Sequence, residues 1–382
     1  MIKKLQILSF SLFFIFNFIN RDISNIFLLA TLFTCICDIK SIKETFKENS
    51  YLVISVIVFT VWITLVGVYH SAPLHELDNY YRLFLLLPLL VINMNKKIWS
   101  KIIVYSSLAA CIHLAYSYLS FDILRFHGTS GHPITYANMV VTIMLLLLLG
   151  MKDYGSSKKI LLLIILLTLG LLTAWVLTQT RGPVIGFLIS LALIIFWLRN
   201  KNIFLFSILS LGVLFYFQNS LSERLTKLAD LDINILDKTT IEKVLRSHSS
   251  KYVPLRERGT YFFYGFSTIN KYPYTGIGPQ NVEDDMKGYI KETGYLAVSR
   301  DHLHNDYIDI SAKFGLPSLL LLLIIYYCMF VNVNNENRQL FIIFMIMLLT
   351  SQLSQSQFAH NQAIVFFIAS LFVLKSTNKS NI

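Results

Sequence analysis

The sequence predicts an all-α protein that crosses a membrane many times. Hydrophobic residues make up 55% of the 382 residues and charged residues only 14%, whereas soluble domains carry about 25% charged residues. The mean hydropathy is +0.59. Apolar runs of roughly 17 to 20 residues, long enough for a helix to cross a bilayer, recur along most of the chain. These observations exclude an ordinary soluble domain.

The apolar runs predict about twelve transmembrane helices. They lie at 4–20, 23–38, 51–70, 80–94, 102–120, 134–150, 160–178, 183–198, 203–217, 314–331, 340–352 and 361–374. Several runs are short, so a re-entrant segment near 80–94 or 340–374 is an alternative.

Short basic clusters alternate with the runs and predict the orientation of the chain. These clusters are Lys3-Lys4, Lys40/Lys43/Lys47, Lys96-Lys97/Lys101, Lys152/Lys158/Lys159, Arg199/Lys201 and Lys375/Lys379. The positive-inside rule places them in the cytoplasm together with both termini. Most of the net charge of +11 is therefore topological and does not indicate nucleic-acid binding. The outer connections are then Arg21-Asp22, 71–79, 121–133, 179–182, 218–304 and 353–360.

Three domains follow from this organisation. Residues 1–217 form a membrane bundle of nine spans, residues 218–304 form one large outer loop domain, and residues 305–382 hold the last three spans. Within the loop domain, "KTTIEKVLRSH" predicts a helix that begins near Thr240. "RGTYFFYGFSTINKY" predicts an aromatic helix suited to the membrane surface, with Tyr261, Phe262, Phe266 and Ile269 on one face. "YTGIGPQN" predicts a turn.

Arginines gather at the predicted outer ends of the spans. They are Arg125 in "FDILRFHGTSGHPITYAN", Arg181 in "LTQTRGPVIG", and Arg256 and Arg258 in "PLRERGTYFF". Arg181 lies in a very short outer connection, where basic residues are normally avoided. Snorkelling at the interface is the alternative explanation. Because a guanidinium matches phosphate oxygens with a rigid fork, we expect these side chains to hold an anion such as a lipid-linked diphosphate.

The stretch "SRDHLHNDYIDISAKFGLPS" places polar residues directly before an apolar run. Asn305 or Asp306 at the N-cap of the next helix accounts for the acidic residues, but it does not account for His304. A neutral imidazole at a membrane–water boundary can accept a proton from an attacking hydroxyl. "DHLHND" is a weak metal signal, and no nucleotide-binding loop is present. Cys35, Cys37, Cys111 and Cys328 fall in or beside apolar runs and predict packing residues. We therefore expect no metal and no cofactor.

Four segments resemble the O-antigen ligase and polymerase superfamily. "HNDYIDISAKFGLPS" is similar to the family signature through His304, Asn305 and Gly315, whereas Ser318 replaces the expected last residue. "RGTYFFYGFSTINKYPYTGIGPQN" resembles the segment of Arg, aromatic helix, Pro and GxG, and its spacing favours Arg258 over Arg256. "TRGP" and "RFHGTSGHPITYA" resemble two further family segments around Arg181 and Arg125.

The resemblance implies a fold, a location and an activity. The fold is an all-helical, GT-C-like membrane bundle with a periplasmic loop domain, in the bacterial inner membrane. Such enzymes move a glycan from undecaprenyl diphosphate to an acceptor on the periplasmic face. The ligases use lipid A–core oligosaccharide, invert the anomeric centre, and need no metal or nucleotide. Carried over to this chain, His304 is the base, Arg181 and Arg125 hold the diphosphate, and Arg258 and Asn305 support substrate binding.

Two other functions stay open at this stage. The O-antigen polymerase of the same superfamily uses a second lipid-linked glycan as acceptor, and a single large outer loop favours the ligase over it. A lipid-glycan flippase would carry ionisable residues near the bilayer midplane, whereas the polar groups here gather at one face. The roles of His302, Arg256 and His360 are left open.

Overall fold

The computed structural model describes residues 1–120, 126–130, 132–150, 158–180, 182–199, 242, 244–248, 253–331, 333, 335 and 337–375. Within these ranges the regular secondary structure is entirely helical, so the predicted all-α class is confirmed for them. In chain order the α-helices are α1 (Ile2–Phe16), α2 (Arg21–Cys37), α3 (Ile39–Glu48), α4 (Ser50–Tyr69), α5 (Leu74–Leu85), α6 (Lys96–Ser120), α7 (Pro133–Gly150), α8 (Lys158–Thr178), α9 (Val184–Leu198), α10 (Val253–Lys271), α11 (Val282–Thr293), α12 (Asp306–Phe314), α13 (Leu316–Phe330), α14 (Arg338–Ser354) and α15 (Asn361–Lys375). Short 3₁₀ helices lie at Leu87–Val91, Gly128–Ser130, Pro279–Asn281 and Gln357–Ala359.

Three described helices are long and apolar enough to cross a membrane by themselves, namely α4, α6 and α7. Helices α2 and α3 pass the same test together but meet at a bend of 88°. Helices α9, α13, α14 and α15 are apolar but shorter, and within α8 the segment Leu162–Thr178 belongs to the same shorter class. The run at 203–217 lies outside the described residues, and the full set of about twelve spans stays a prediction.

Helix α7 forms the centre of the bundle. Each of its residues apart from Ile134 is buried, and it packs against α6, α8, α9, α14 and α15. It begins at Pro133, a position where proline costs no hydrogen bond because the first amide of a helix has no partner within it. A helix that is apolar all round is stable only when other helices or lipid surround it. The apolar sequence of α7 is therefore consistent with its position inside the bundle. The 121–133 connection directly precedes it in the sequence.

A second, smaller apolar cluster joins α10, α11 and α12. Tyr261 and Tyr264 of α10 meet Val282 and Met286 of α11 and Ile308 of α12. Helix α12 also contacts α4, α13 and α14. The small cluster is thus attached to the bundle through α12, the helix that follows His304.

A turn at 273–278 is bound tightly to the end of α12. Gly278 N–H donates to Lys313 O at 3.0 Å. Gly315, the signature glycine, has φ of +80°, and a β-carbon built on it would lie 2.0 Å from Tyr274 O. Only glycine tolerates both this backbone angle and this close approach. The turn that contains "GxG" therefore packs directly against the signature glycine at the end of α12.

The apolar run at 80–94 does not form one helix. Helix α5 ends at Leu85, and the 3₁₀ helix Leu87–Val91 follows with Pro88 in its first turn. Pro88 has no amide hydrogen with which to continue the ladder of α5, so the helix breaks there. Apolar composition alone could not reveal this break.

Helix α10 forms as predicted, but its predicted aromatic face is divided. Tyr261 is buried, whereas Phe262 and Phe266 are exposed and pack edge to face on each other at 4.7 Å between ring centroids. Neighbouring helical residues point about 100° apart, so Tyr261 turns toward α12 while Phe262 turns away. The prediction that all four aromatic and apolar residues share one face was therefore wrong. Thr240 lies outside the described residues.

Candidate active site

Three of the five predicted site residues belong to the described part of the chain. Arg258 lies on α10, and His304 and Asn305 lie directly before α12. Arg125 and Arg181 lie outside the described residues, so their proposed contacts with a substrate stay predictions.

Asn305 caps α12 and fixes the backbone next to His304. Its Oδ1 accepts hydrogen bonds from Tyr307 N at 3.0 Å and Ile308 N at 3.1 Å. Its Nδ2 donates to Leu353 O at 3.2 Å. Asparagine is among the best N-cap residues because its carbonyl satisfies amides that no helix carbonyl can reach. Of the two predicted caps, Asn305 is therefore the one that forms, while its predicted part in substrate binding stays a prediction.

Two buried aspartates hold the backbone on both sides of this loop. Asp309 Oδ1 accepts from Leu303 N at 2.9 Å, and its Oδ2 lies 2.9 Å from Lys313 Nζ. Asp306 Oδ1 accepts from Phe358 N at 3.2 Å. The hydrogen bond from Leu303 N ties the loop to α12, and the hydrogen bond from Phe358 N ties α12 to the 355–360 connection. Asp309 lies in the first turn of α12, as predicted from the helix dipole, and it also forms a buried ion pair with Lys313.

His304 is held from three directions. Its Nδ1 lies 3.0 Å from Gln355 Oε1, its ring packs on Tyr261 at 5.5 Å between centroids, and the His302 ring meets it edge-on at 4.6 Å. Tyr261 is itself anchored, because its hydroxyl donates to Val298 O at 2.9 Å. The backbone of His304 has φ of +54°, a conformation that is uncommon outside glycine. The surrounding contacts therefore impose the position of this imidazole.

The environment of His304 keeps its imidazole neutral. Burial lowers the pKa of His304 to about 4, and the nearby His302, Arg258 and Arg300 act in the same direction. The hydrogen bond to Gln355 acts in the opposite direction but is the weaker influence. At neutral pH the ring can therefore accept a proton. An anion bound beside it would raise its pKa and make it a stronger base.

A second histidine pair adjoins His304 through Gln355. Gln355 Nε2 lies 2.5 Å from His360 Nε2, and the His360 ring stacks on His132 at 4.2 Å between centroids. Burial, followed by the nearby His132, His302 and His304, lowers the pKa of His360 to about 3. The sequence left His360 open because no local pattern joins residues 132, 304 and 360.

Four connections predicted for the outer side meet at one end of the bundle. His132, His304 and His360 come from the connections 121–133, 218–304 and 353–360. The fourth connection, 179–182, contributes Gly182, where a β-carbon would lie 3.1 Å from Ser354 Oγ. Gly182 follows Arg181 in the sequence. Contacts therefore link described residues of four connections that the sequence predicts for the outer side, while the orientation itself stays a prediction.

Other polar residues near the site have structural partners. The Arg256 guanidinium donates to Ser247 O, and His302 Nδ1 lies 2.7 Å from Asp301 Oδ1. This contact with His302 is the main reason that the pKa of Asp301 falls to about 2. Among the described residues, no three His, Cys, Asp or Glu side chains are arranged to hold a metal ion. The arrangement suits proton transfer by one neutral imidazole close to cationic groups.

Comparisons with known proteins match one segment of the chain, which contains several of the predicted site residues. No curated protein matches the chain. A family model described as O-antigen ligase matches residues 165–323, a segment that contains Arg181, Arg258, His304 and Gly315. The segment from residue 165 to residue 323 is therefore similar to the O-antigen ligase family, in agreement with the resemblance of the sequence motifs.

Proposed function

We propose that this protein is a glycosyltransferase that moves an O-antigen glycan from undecaprenyl diphosphate to lipid A–core oligosaccharide. The superfamily implies ligase or polymerase activity of the glycosyltransferase type, and the choice of donor and acceptor is our proposal. One observation carries it: His304 is neutral, fixed by Gln355, and close enough to Arg258 and Arg300 for their charges to lower its pKa.

The proposed reaction is an inverting displacement at the anomeric carbon. The acceptor hydroxyl oxygen forms a bond to that carbon while the bond from the carbon to the diphosphate oxygen breaks. The electron pair of the broken bond leaves with the diphosphate. The hydroxyl proton passes to the imidazole of His304, which is unprotonated at neutral pH because its pKa is about 4. A single displacement of this kind requires no resident cofactor.

Cationic side chains would stabilise the departing diphosphate. Negative charge grows on the leaving oxygen in the transition state, and a guanidinium placed there in advance stabilises the transition state more than the ground state. Arg258 is the described candidate because its charge already acts on His304. Arg181 and Arg125 complete the proposed clamp, as the sequence resemblance implies.

The position of the site supports a reaction on one membrane face. His132, His304, His360 and Gly182 come from four separate connections and meet at one end of the bundle. A transporter instead places its binding groups near the bilayer midplane. We assign the site to the periplasmic face of the bacterial inner membrane, since the positive-inside rule predicts that the basic clusters face the cytoplasm and that these four connections face the other side.

A reconstitution assay tests the proposed function and separates it from its alternatives. Purified protein in lipid nanodiscs is incubated with undecaprenyl-diphosphate glycan and rough lipopolysaccharide, with a chelator present throughout. Glycan attached to lipid A–core supports the ligase. Longer lipid-linked glycan, with lipid A–core unchanged, would instead identify a polymerase. In sealed vesicles, movement of the lipid-linked glycan between leaflets without any transfer would identify a flippase.

A further inference from the structure

Gln355 occupies the space between two imidazoles. It is 1% exposed and lies at the end of α14, where its backbone N–H donates to Ser351 O at 3.0 Å. Its Oε1 faces His304 Nδ1 at 3.0 Å, and its Nε2 faces His360 Nε2 at 2.5 Å. One amide therefore binds both rings at once.

The chemistry of an amide decides which ring nitrogens carry protons. An amide oxygen only accepts hydrogen bonds, and an amide nitrogen only donates them. His304 must therefore donate from Nδ1, which leaves its Nε2 with a lone pair. His360 must accept at Nε2, so it is neutral and carries its proton on Nδ1. The neutral state of His360 follows from its burial and from the three histidines around it.

The orientation of the amide is coupled to the tautomer of His360. If the amide rotated by 180°, its oxygen would face the lone pair of His360 Nε2, and two acceptors would meet in a buried site. Two buried acceptors that face each other have no hydrogen bond between them, which disfavours that arrangement. The pair of contacts is thus mutually consistent in only one orientation as long as His360 keeps its proton on Nδ1.

We propose that Gln355, held in place by His360, is a positioning residue that keeps His304 in the Nδ1–H tautomer and so makes Nε2 the atom that receives the acceptor's proton. This proposal rests on the proposed function, because it assigns the reactive atom of the proposed base. Which nitrogen carries the proton is commonly set by the bond that the other nitrogen makes.

The use of an amide rather than a carboxylate has a functional consequence. The groups that act on His304 are His302, Arg258 and Arg300, with Gln355 and Tyr261 in direct contact. The groups that act on His360 are His132, His302, His304 and Asp301. A carboxylate at position 355 would raise the basicity of His304 permanently. A neutral amide fixes the tautomer without adding charge, so the base gains strength only when an anionic donor arrives.

Two variants of Gln355 separate a positioning role from a packing role. Gln355→Met keeps the length of the side chain but removes both hydrogen bonds, and we expect kcat to fall on the order of 10²-fold or more, with little change in KM. Gln355→Glu still accepts from Nδ1 of His304, and its second oxygen can accept from His360 when that ring carries a proton on Nε2. We expect it to keep activity within about tenfold and to shift the acidic limb of the pH–rate profile to higher pH, because the added negative charge raises the pKa of His304.

The matched control is Gln6→Met. Gln6 is also buried and binds one backbone carbonyl, Thr34 O, but it lies eleven residues along α1 from Asn17, about 16 Å on a helical rise of about 1.5 Å per residue. Asn17 directly follows α1 and accepts a hydrogen bond from Gln362 of α15, the helix that begins directly after His360. We expect Gln6→Met to leave kcat and the pH profile unchanged.

The tautomer can be read directly by NMR. Two-bond ¹H–¹⁵N correlation spectra of protein labelled with ¹⁵N-histidine distinguish the two neutral tautomers, and the His304 signals are assigned by their loss in His304→Ala. We expect the Nδ1–H form in the wild-type protein and a mixture in Gln355→Met. An Nε2–H form in the wild-type protein would overturn the proposal, and so would an unchanged kcat in Gln355→Met. Full activity of His304→Ala would instead overturn the proposed function, so the two failures are distinguishable.

Discussion

Gln355 Oε1 lies 3.0 Å from His304 Nδ1, although 51 residues separate the two in the sequence. The contact joins the loop before α12 to the connection between α14 and α15. Asn305 and Asp306 reinforce the same junction through Leu353 O and Phe358 N. The imidazole is therefore held by the end of α14 and by the connection between α14 and α15, as well as by its own loop.

Arg181→Lys is expected to impair glycan transfer although it keeps the charge. Lysine presents a point charge and cannot form the two parallel bonds of a guanidinium to a phosphate. We expect kcat/KM for the donor to fall at least tenfold, measured by consumption of the lipid-linked glycan. Arg199→Lys is the control, because Arg199 lies at the end of α9, in a predicted cytoplasmic cluster. Full turnover of Arg181→Lys would assign Arg181 to topology instead.

Arg258→Gln is expected to weaken donor binding and to change the pH profile. The charge of Arg258 lowers the pKa of His304, so its removal raises that pKa and moves the acidic limb of the kcat/KM profile to higher pH. Loss of a phosphate ligand also raises KM for the donor. The control is Lys287→Gln, which removes an exposed cation paired with Glu283 on α11. If Arg258→Gln and this control behave alike, Arg258 is not part of the site.

Asp309→Asn is expected to destabilise the protein strongly. Asp309 and Lys313 form an ion pair in which both side chains are almost fully buried. Neutralising one partner leaves a buried charge uncompensated, at a cost of about 3–5 kcal/mol. The loss should appear as a lower Tm in detergent solution.

The double variant Asp309→Asn/Lys313→Met is the control for this prediction. It removes the orphaned charge, while the asparagine oxygen still accepts from Leu303 N. We expect it to recover most of the lost Tm. A single variant that is as stable as the wild type would contradict the importance of the pair.

The buried histidines are expected to make stability depend on pH. His304 and His360 have folded-state pKa values of about 4 and about 3, below their ordinary value of 6.5. The unfolded chain therefore binds more protons below pH 6.5, and the free energy of unfolding falls as the pH falls through this range. His360→Gln should flatten the dependence of Tm on pH between 6.5 and 4.

The Asp301 carboxyl acts in a different pH window. Its pKa is lowered from 3.8 to about 2, so the stability that it contributes is lost only as the pH falls below about 4. A Tm that is constant from pH 7 to pH 4 in the wild-type protein would contradict the burial of the two histidines.

Much of the bundle was predictable because the bounds of a long apolar run indicate where a helix begins and ends. The runs at 51–70 and 134–150 correspond to Ser50–Tyr69 and Pro133–Gly150 within one residue at each end. The bend of 88° between α2 and α3 was not predicted. Helix α3 carries Lys40, Lys43 and Lys47 in a strongly amphipathic pattern, but the basic residues were interpreted only as an orientation signal.

The site was predictable only where its residues form a local pattern. His304 and Asn305 precede a helix and a glycine at fixed spacing, which the sequence displays. Gln355 and His360 contribute through space, and the stretch "SQSQFAHNQ" has no spacing that predicts a partner 51 residues away. Burial of Tyr261 was missed because helical periodicity alone does not reveal which side of α10 meets α12.

The most direct test of this account is glycan transfer by His304→Ala, compared with His75→Ala, which alters an exposed histidine. Both proteins are reconstituted with undecaprenyl-diphosphate glycan and rough lipopolysaccharide, and their folding is verified by Tm. We expect His304→Ala to retain its fold but to lose transfer on the order of 10²-fold or more, while His75→Ala transfers normally. Wild-type transfer by a folded His304→Ala protein would show that this imidazole is not the base.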